Sequence, residues 1–155
     1  MAAVAAGVAA AEKVPQGALE EIPDLVLKGI EEFNRGEFYE CHEYLEDAWR
    51  EETRQIRYLY QGILQIGVGF LHALRGNHTG ALLLLADGIE KTAEFAPTCL
   101  GIETGRLAAE SQAALERLRA LDPERLSEFD FSTVPRIGFV VEDAAAVSDA
   151  APGVR

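Results

Sequence analysis

The sequence predicts an all-α fold, a single compact bundle of five to six helices built from two helical hairpins, with an extended C-terminal strap. Two observations lead to this fold class. Apolar residues recur at helical spacing in five successive segments of the chain. Glycine or proline follows four of these five segments, which indicates short connections between packed helices.

The first hairpin is predicted from a helix at 24–34 and a second helix at 37–51. Pro23 and Asp24 are typical of a helix start, and apolar residues then follow at helical spacing through Phe33. The Arg35-Gly36 pair separates the two helices, since glycine readily takes the left-handed conformation that ends a helix.

The third helix, predicted at 55–74, is apolar on nearly every side and is therefore expected at the centre of the bundle. Glycine inside a helix costs about 1 kcal/mol relative to alanine. Gly62 and Gly69 lie seven residues apart on one stripe of this helix. We expect the backbone of a neighbouring helix to approach closely along that stripe.

A fourth helix at 79–94 and a fifth at 103–121 complete the bundle, and Pro97 separates them. A repeat at an offset of 40 residues aligns Arg35-Gly36 with Arg75-Gly76, as in tetratricopeptide-like turns. The predicted domain organisation has four parts: a disordered or frayed N-terminal tail at 1–17, the helical bundle at 18–128, the strap at 129–142 and a disordered tail at 143–155.

The net charge of −12 is the main guide to partners. It argues against nucleic acid and against an anionic membrane surface, because both need clustered Lys and Arg. The apolar run at 1–11 is too short to span a bilayer, which needs about 20 residues. We therefore expect a cytoplasmic protein, or one of the plastid stroma if the N-terminal tail is a trimmed targeting segment. Pairing of leftover apolar faces in a homodimer stays open.

Polar residues occupy helix faces that should bury only hydrocarbon. His42 and Glu46 lie one turn apart on the second helix. On the third helix, Gln61, Gln65 and His72 fall within about 40° of one another around the axis. A buried polar group without a partner costs roughly 1–3 kcal/mol, so such residues must satisfy one another or serve a site. The pattern predicts a buried polar pocket between these two helices.

Three functions are compatible with that pocket. The first is binding of a small polar ligand, with His42 and Glu46 as contacts and Trp49 or Tyr39 as a wall. The second is catalysis, with His42 and Glu46 joined by Glu43 in acid–base or ligating roles. The third is a helical interaction or oligomerisation domain whose buried polar pairs only set the packing. We rank ligand binding first and leave enzymatic activity open.

A divalent metal is the only cofactor that the sequence suggests. His42, Glu46 and His72 would make a two-histidine, one-carboxylate set if their helices lie in register. No second Glu-x-x-His motif accompanies them, although di-iron bundles carry one on each of two helices. Cys41 and Cys99 are too far apart to form a Cys-x-x-Cys motif. A bound metal is thus an open alternative to a metal-free pocket.

The segment from Phe33 to Trp49, with its His-Glu-x-Leu-Glu-x-x-Trp motif, and the segment from Tyr60 to Gln65 resemble domain-of-unknown-function family 309. This family comprises small bacterial, archaeal and plastid-lineage proteins, and the resemblance extends over about residues 25–120. It implies an all-helical bundle, and for some members the label of a predicted metal-dependent hydrolase. The family's motif positions fall on the following residues of this chain: His42, Glu43, Glu46, Trp49, Gln61 and Gln65.

Overall fold

Five α-helices and two short 3-10 helices make up the computed structural model, which describes residues 21–140. The α-helices are α1 (Asp24–Asn34), α2 (Phe38–Glu51), α3 (Arg57–Leu74), α4 (His78–Ala93) and α5 (Thr104–Arg119). The 3-10 helices are Pro123–Glu128 and Phe131–Thr133. The all-α prediction is confirmed, while the predicted tails at 1–17 and 143–155 lie outside the described residues. Among residues 21–140, none of the helices is both long and apolar enough to cross a membrane.

The two Arg-Gly turns join α1 to α2 and α3 to α4. Gly36 and Gly76 have φ angles of 80° and 82°, the left-handed conformation that residues with a side chain rarely adopt. Asn77 caps the start of α4, because its side-chain oxygen accepts a hydrogen bond from the Gly80 backbone N–H at 2.9 Å. Both predicted hairpins are present, with helix boundaries within two residues of those expected.

The predicted end of α5 and the predicted start of α3 are each wrong by two residues, since α5 ends at Arg119 rather than at residue 121 and α3 begins at Arg57 rather than at residue 55. The preceding residues form a tighter turn, in which the backbone N–H of Arg57 bonds the carbonyl of Arg54 and that of Tyr58 bonds the carbonyl of Gln55. These i to i+3 bonds characterise a 3-10 turn rather than an α-helix.

The helices pack mainly on their neighbours along the chain, α1 on α2, α2 on α3, α3 on α4 and α4 on α5. The contact between α3 and α4 is the most extensive. A Cβ placed on Gly62 would lie 3.1 Å from the backbone oxygen of Gly88, and one on Gly69 would lie 3.1 Å from the backbone nitrogen of Leu85. The expected close approach along this glycine stripe is therefore confirmed, and α3 lies at the centre of the array.

The strap returns from the end of α5 to the end of α1. Ile137 is buried, and its backbone is held by the Asn34 amide, which donates from Nδ2 to the Ile137 carbonyl at 3.0 Å and accepts from its N–H at 2.7 Å. The expectation of a wholly extended strap is wrong at Phe131–Thr133, which is a 3-10 helix. The Asp130 carboxylate caps this helix by accepting from the Ser132 N–H at 3.0 Å.

We expect Asn34→Ala to lower the free energy of unfolding by roughly 1–3 kcal/mol, because two backbone groups of Ile137 would lose their partner. Asn34→Asp is the matched control, since it keeps the acceptor and loses only the donor, and its loss should be intermediate. Urea denaturation followed by circular dichroism measures both changes. Equal stability of Asn34→Ala and the wild type would show that the strap adds nothing to the bundle.

Candidate functional site

The pair at the centre of the predicted site is formed as expected, since His42 Nε2 lies 3.3 Å from Glu46 Oε1. The other oxygen of Glu46 accepts from Arg50 Nη2 at 3.0 Å, so the carboxylate has two basic neighbours. Because they are one turn apart on one helix, these contacts follow directly from the sequence spacing.

The expectation that this pair is buried is wrong. The side chains of His42 and Glu46 are 32% and 35% exposed. The buried face of α2 consists of Phe38, Cys41, Leu45 and Ala48. His42 and Glu46 each lie one residue, or about 100°, around the helix from that face. The polar pair therefore borders the core instead of lying within it.

A cleft of about 300 Å³ lies where α2, α3 and α4 meet, and it opens to solvent. It is lined by His42, Glu46, Trp49, Gln61, Leu64, Gln65, Val68 and Leu84. Five of the predicted site residues are thus brought together in one cleft. Leu64 and Val68 of α3 contribute most of the aliphatic lining, and Leu84 is the one lining residue from α4.

Three of the predicted residues lie outside this lining, two of them on α2. Tyr39 and Glu43 are exposed on the outer side of α2, although the Tyr39 ring centroid is still 6.0 Å from that of His42. Hydrogen bonding to the Glu43 carboxylate raises the pKa of the Tyr39 phenol. Glu43 lies about 100° around α2 from His42, so it interacts with Tyr39 rather than with the cleft.

His72 is also absent from the cleft, which alters the expected metal set. Its Nδ1 lies 3.3 Å from the Asn77 amide nitrogen, in the turn between α3 and α4. His72 shares its angular position with Gln65, but seven residues separate them, or about 10 Å along the axis. Within residues 21–140, no three His, Cys, Asp or Glu side chains are arranged to hold a metal ion. His42, Glu46 and His72 therefore do not assemble as one site.

Arg57 is a neighbour of the cleft that our sequence reasoning missed. Its guanidinium carbon lies 4.2 Å from the centroid of the Trp49 ring, a close cation–π contact, and its Nη2 donates to the Trp49 carbonyl at 3.4 Å. Arg57 precedes Gln61 by one helical turn. That spacing is the signal in the sequence that could have placed Arg57 at this end of the cleft.

Two polar atoms of the cleft residues have no hydrogen-bond partner among the described residues. They are the indole nitrogen of Trp49 and the side-chain oxygen of Gln65, and both atoms are inaccessible to solvent. Each such group lowers stability by about 1–3 kcal/mol compared with a satisfied group. One is a donor and the other an acceptor, so a bound molecule with complementary groups could satisfy both once the two side chains rotate toward the cleft.

The cysteine beside the histidine has a structural role. Cys41 is a free thiol in the core, and burial raises its pKa to about 12. Because the thiolate is the reactive form, Cys41 is not a nucleophile at neutral pH. The acid–base chemistry available at the cleft therefore rests on His42 and Glu46.

A second group of polar side chains lies at the C-terminal end of α2. The Glu52 carboxylate accepts from Arg54 Nε at 2.8 Å, and hydrogen bonding to Arg54 lowers the pKa of Glu52. The phenol of Tyr60 lies 3.4 Å from the same carboxylate, and burial raises its pKa. These groups satisfy one another where the chain turns from α2 into α3.

Comparison with known proteins gives a family and one relative. Residues 26–84 match the model of a family described as "Domain of unknown function (DUF309)". Over 88 residues the chain is 33% identical to the "Uncharacterized protein YpuF" of Bacillus subtilis (strain 168), an alignment that covers 55% of this chain. The chain spans about half of that relative, 51% of its length. No solved structure matches the chain.

The matched segment contains most of α1, all of α2 and α3, and the beginning of α4. It includes every residue that lines the cleft, from His42 to Leu84. The expected similarity out to about residue 120 is wider than the family match, which ends at residue 84. The resemblance found in the sequence is otherwise confirmed.

Proposed function

We propose, on the premise that residues 26–84 belong to the DUF309 family, that this domain binds a small polar ligand in the cleft between α2, α3 and α4. One observation carries the proposal. Trp49 Nε1 and Gln65 Oε1 belong to residues that line the same cleft, and both atoms lack a partner within residues 21–140. A packing role alone would favour apolar replacements at these positions, since unpaired buried polar groups lower stability.

The lining indicates the chemistry of the ligand. Leu64, Val68 and Leu84 offer an apolar surface for the body of a small molecule. Trp49 can donate one hydrogen bond, and the amides of Gln61 and Gln65 can both donate and accept. The volume of about 300 Å³ is at the lower end of the usual range for ligand sites. We expect a compact ligand with at least one donor and one acceptor.

The charge of Glu46 is already balanced within the domain. Its oxygens contact His42 and Arg50, which leaves the cleft without a free carboxylate to attract a cation. This favours a neutral or weakly charged polar ligand over a polyamine. The arrangement also holds His42 on the cleft wall, because the Glu46 carboxylate can accept a hydrogen bond from the His42 Nε2–H.

A metal-dependent hydrolase using His42 and Glu46 is the second candidate, favoured by their 3.3 Å contact. It requires a further ligand beyond the residues that line the cleft. Elemental analysis of protein purified without chelator, wild type beside His42→Ala, tests it. Stoichiometric zinc, iron or manganese that disappears in His42→Ala would make hydrolysis the better function. A homodimer remains a third candidate, and a cytoplasmic location remains a prediction.

The most direct test of ligand binding is Gln65→Met. Methionine has a similar shape without the unpaired oxygen, so we expect the free energy of unfolding to rise by about 1 kcal/mol. We expect the same variant to lose ligand-induced stabilisation in a thermal-shift screen of nucleosides, amino acids and small amides. A gain in stability combined with a loss of binding is typical of a residue kept for function.

Two further variants complete this experiment. Trp49→Phe keeps an aromatic wall and removes the donor, so it should also lose the thermal shift. Gln112→Met on α5 is the control, because the Gln112 amide already donates to Glu116 at 3.1 Å and its removal should not stabilise. A Gln65→Met protein that is less stable than the wild type would assign the amide to packing and contradict the proposal.

A further inference from the structure

A second cleft, of about 410 Å³, lies between α5 and the strap, away from the cleft described above. Three arginines line it, Arg106 and Arg117 from α5 and Arg136 from the strap. Glu110 is the one acidic residue of its lining. The remaining lining residues are Ala113, Thr133, Val134 and Pro135.

Three arginines around one cleft are unexpected in a chain of net charge −12. Most of the other arginines in the described part of the chain form ion pairs, as do Arg35 with Glu32 and Arg125 with Glu128. Within residues 21–140, Arg117 and Arg136 form no ion pair and instead bond uncharged oxygens. Positive charge is therefore in excess among the residues that line this cleft, three arginines against one glutamate.

The two unpaired guanidinium groups are held in place by these hydrogen bonds. Arg117 Nη2 donates to Thr133 Oγ1 at 2.8 Å, and its guanidinium carbon lies 5.9 Å from the Phe129 ring centroid. Arg136 Nη1 donates to the Asn34 carbonyl at 2.9 Å. A guanidinium has five N–H donors, so each arginine keeps donors for a ligand. Positioning them in advance reduces the entropy lost on binding.

We propose that this cleft binds an oxyanion, the phosphate group of a small molecule. Guanidinium groups match phosphate oxygens in bidentate geometry, and several of them compensate a doubly charged group better than a singly charged one. Val134 and Pro135 supply an apolar surface beside the charged groups. This site shares no residue with the cleft between α2, α3 and α4, so it stands independently of the ligand proposed there.

The Glu110 carboxylate would compete with a bound phosphate for the arginines of this cleft. Its Oε2 accepts from Arg106 Nε at 3.0 Å, while Arg106 Nη1 donates to Glu103 at 3.1 Å. Glu110 thus places a carboxylate where an incoming phosphate would also be attracted. Besides Glu103, Asp130 is a further nearby acid, and its charge interacts with that of Arg117. Removing Glu110 should therefore strengthen phosphate binding without disturbing the strap.

The test is isothermal titration calorimetry with pyrophosphate and with inorganic phosphate, at constant ionic strength in chloride buffer. We expect saturable binding by the wild type and about fivefold tighter binding by Glu110→Gln, the effect of removing one repelling unit charge a few ångströms away in water. Glu116→Gln is the matched control, since Glu116 lies on the same helix but outside the cleft. Its affinity should stay at the wild-type value.

A loss-of-function variant completes the test. Arg136→Gln should weaken binding at least fivefold, while Arg119→Gln, an exposed arginine of α5 outside the cleft, should not. Succinate in place of phosphate separates phosphate recognition from general carboxylate binding. The proposal is overturned if neither the wild type nor Glu110→Gln binds pyrophosphate saturably. It is also overturned if Glu110→Gln and Glu116→Gln tighten binding equally, which would assign the effect to net charge, or if succinate binds as well as phosphate.

Discussion

Gly88→Ala is expected to lower the free energy of unfolding by about 2 kcal/mol, although alanine is the better helix former. A Cβ on Gly88 would lie 2.6 Å from the backbone oxygen of Gly62 and 2.7 Å from the backbone nitrogen of Ile66. Both are backbone atoms of α3, so α3 and α4 would have to separate. Overpacking of this kind costs typically 1–3 kcal/mol and exceeds the gain in helix propensity of about 1 kcal/mol.

Gly67→Ala is the matched control on α3. Its Cβ would lie 3.5 Å from Cys41 Sγ, an ordinary van der Waals distance, so only the gain in helix propensity should remain. We expect Gly67→Ala to be neutral or stabilised by up to about 1 kcal/mol. Urea denaturation of the two variants under the same conditions measures the difference. Similar midpoints for both would mean that α3 and α4 are not in the close contact described above.

The second large effect is expected for Phe70→Ala, which should lose about 3–5 kcal/mol of unfolding free energy. Phe70 is fully buried, and its ring centroid lies 6.4 Å from that of Phe33 and 5.8 Å from that of Phe38. These three rings join α1, α2 and α3 at one end of the bundle. Truncation removes both the apolar burial and the ring contacts, and it leaves a cavity between three helices.

Leu83→Ala serves as the control for Phe70→Ala. Leu83 is 64% exposed on α4, and substitutions at such surface positions change stability by about 0.5 kcal/mol or less. If Phe70→Ala leaves too little folded protein to measure, Phe70→Leu gives a smaller loss on the same scale. A Phe70→Leu protein as stable as the wild type would show that the aromatic cluster is not part of a packed core.

Part of the candidate site could be predicted from the sequence because it depends on one helix at a time. The contact between His42 and Glu46 follows from a spacing of four residues, and the alignment of Gln61 with Gln65 follows from the same spacing on α3. That the two pairs line one cleft is shown by the structure, because neither spacing fixes how α2 is rotated against α3. The partial exposure of His42 and Glu46 could not be predicted in this way. The two residues lie about 100° around α2 from its buried face, and only the packing of the helices decides which of these two faces is covered.

The failure at His72 has a different origin. A helical wheel records the angle of a residue around the axis and discards its position along the axis. His72 shares the angle of Gln65, yet it lies about two turns further on, where it contacts Asn77. The expected metal set of His42, Glu46 and His72 depended on the position of His72 along the axis of α3, which the wheel does not give. Arg57 was missed for another reason. Its contact with Trp49 joins α3 to α2 across the turn between them, and a helical wheel of one helix does not show contacts with another helix.

The sequence by itself determined the helices, the two Arg-Gly turns, the central position of α3 and the close approach at Gly62. Each of these depends on local backbone preference or on the period of apolar residues within one helix. Only the tertiary structure decided which side chains share a cleft, how far that cleft opens to solvent, and how the strap brings Arg136 beside Arg117. Those features depend on distances between helices and on contacts between residues that are far apart in the chain, such as Asn34 and Ile137. No local pattern in the sequence encodes such distances.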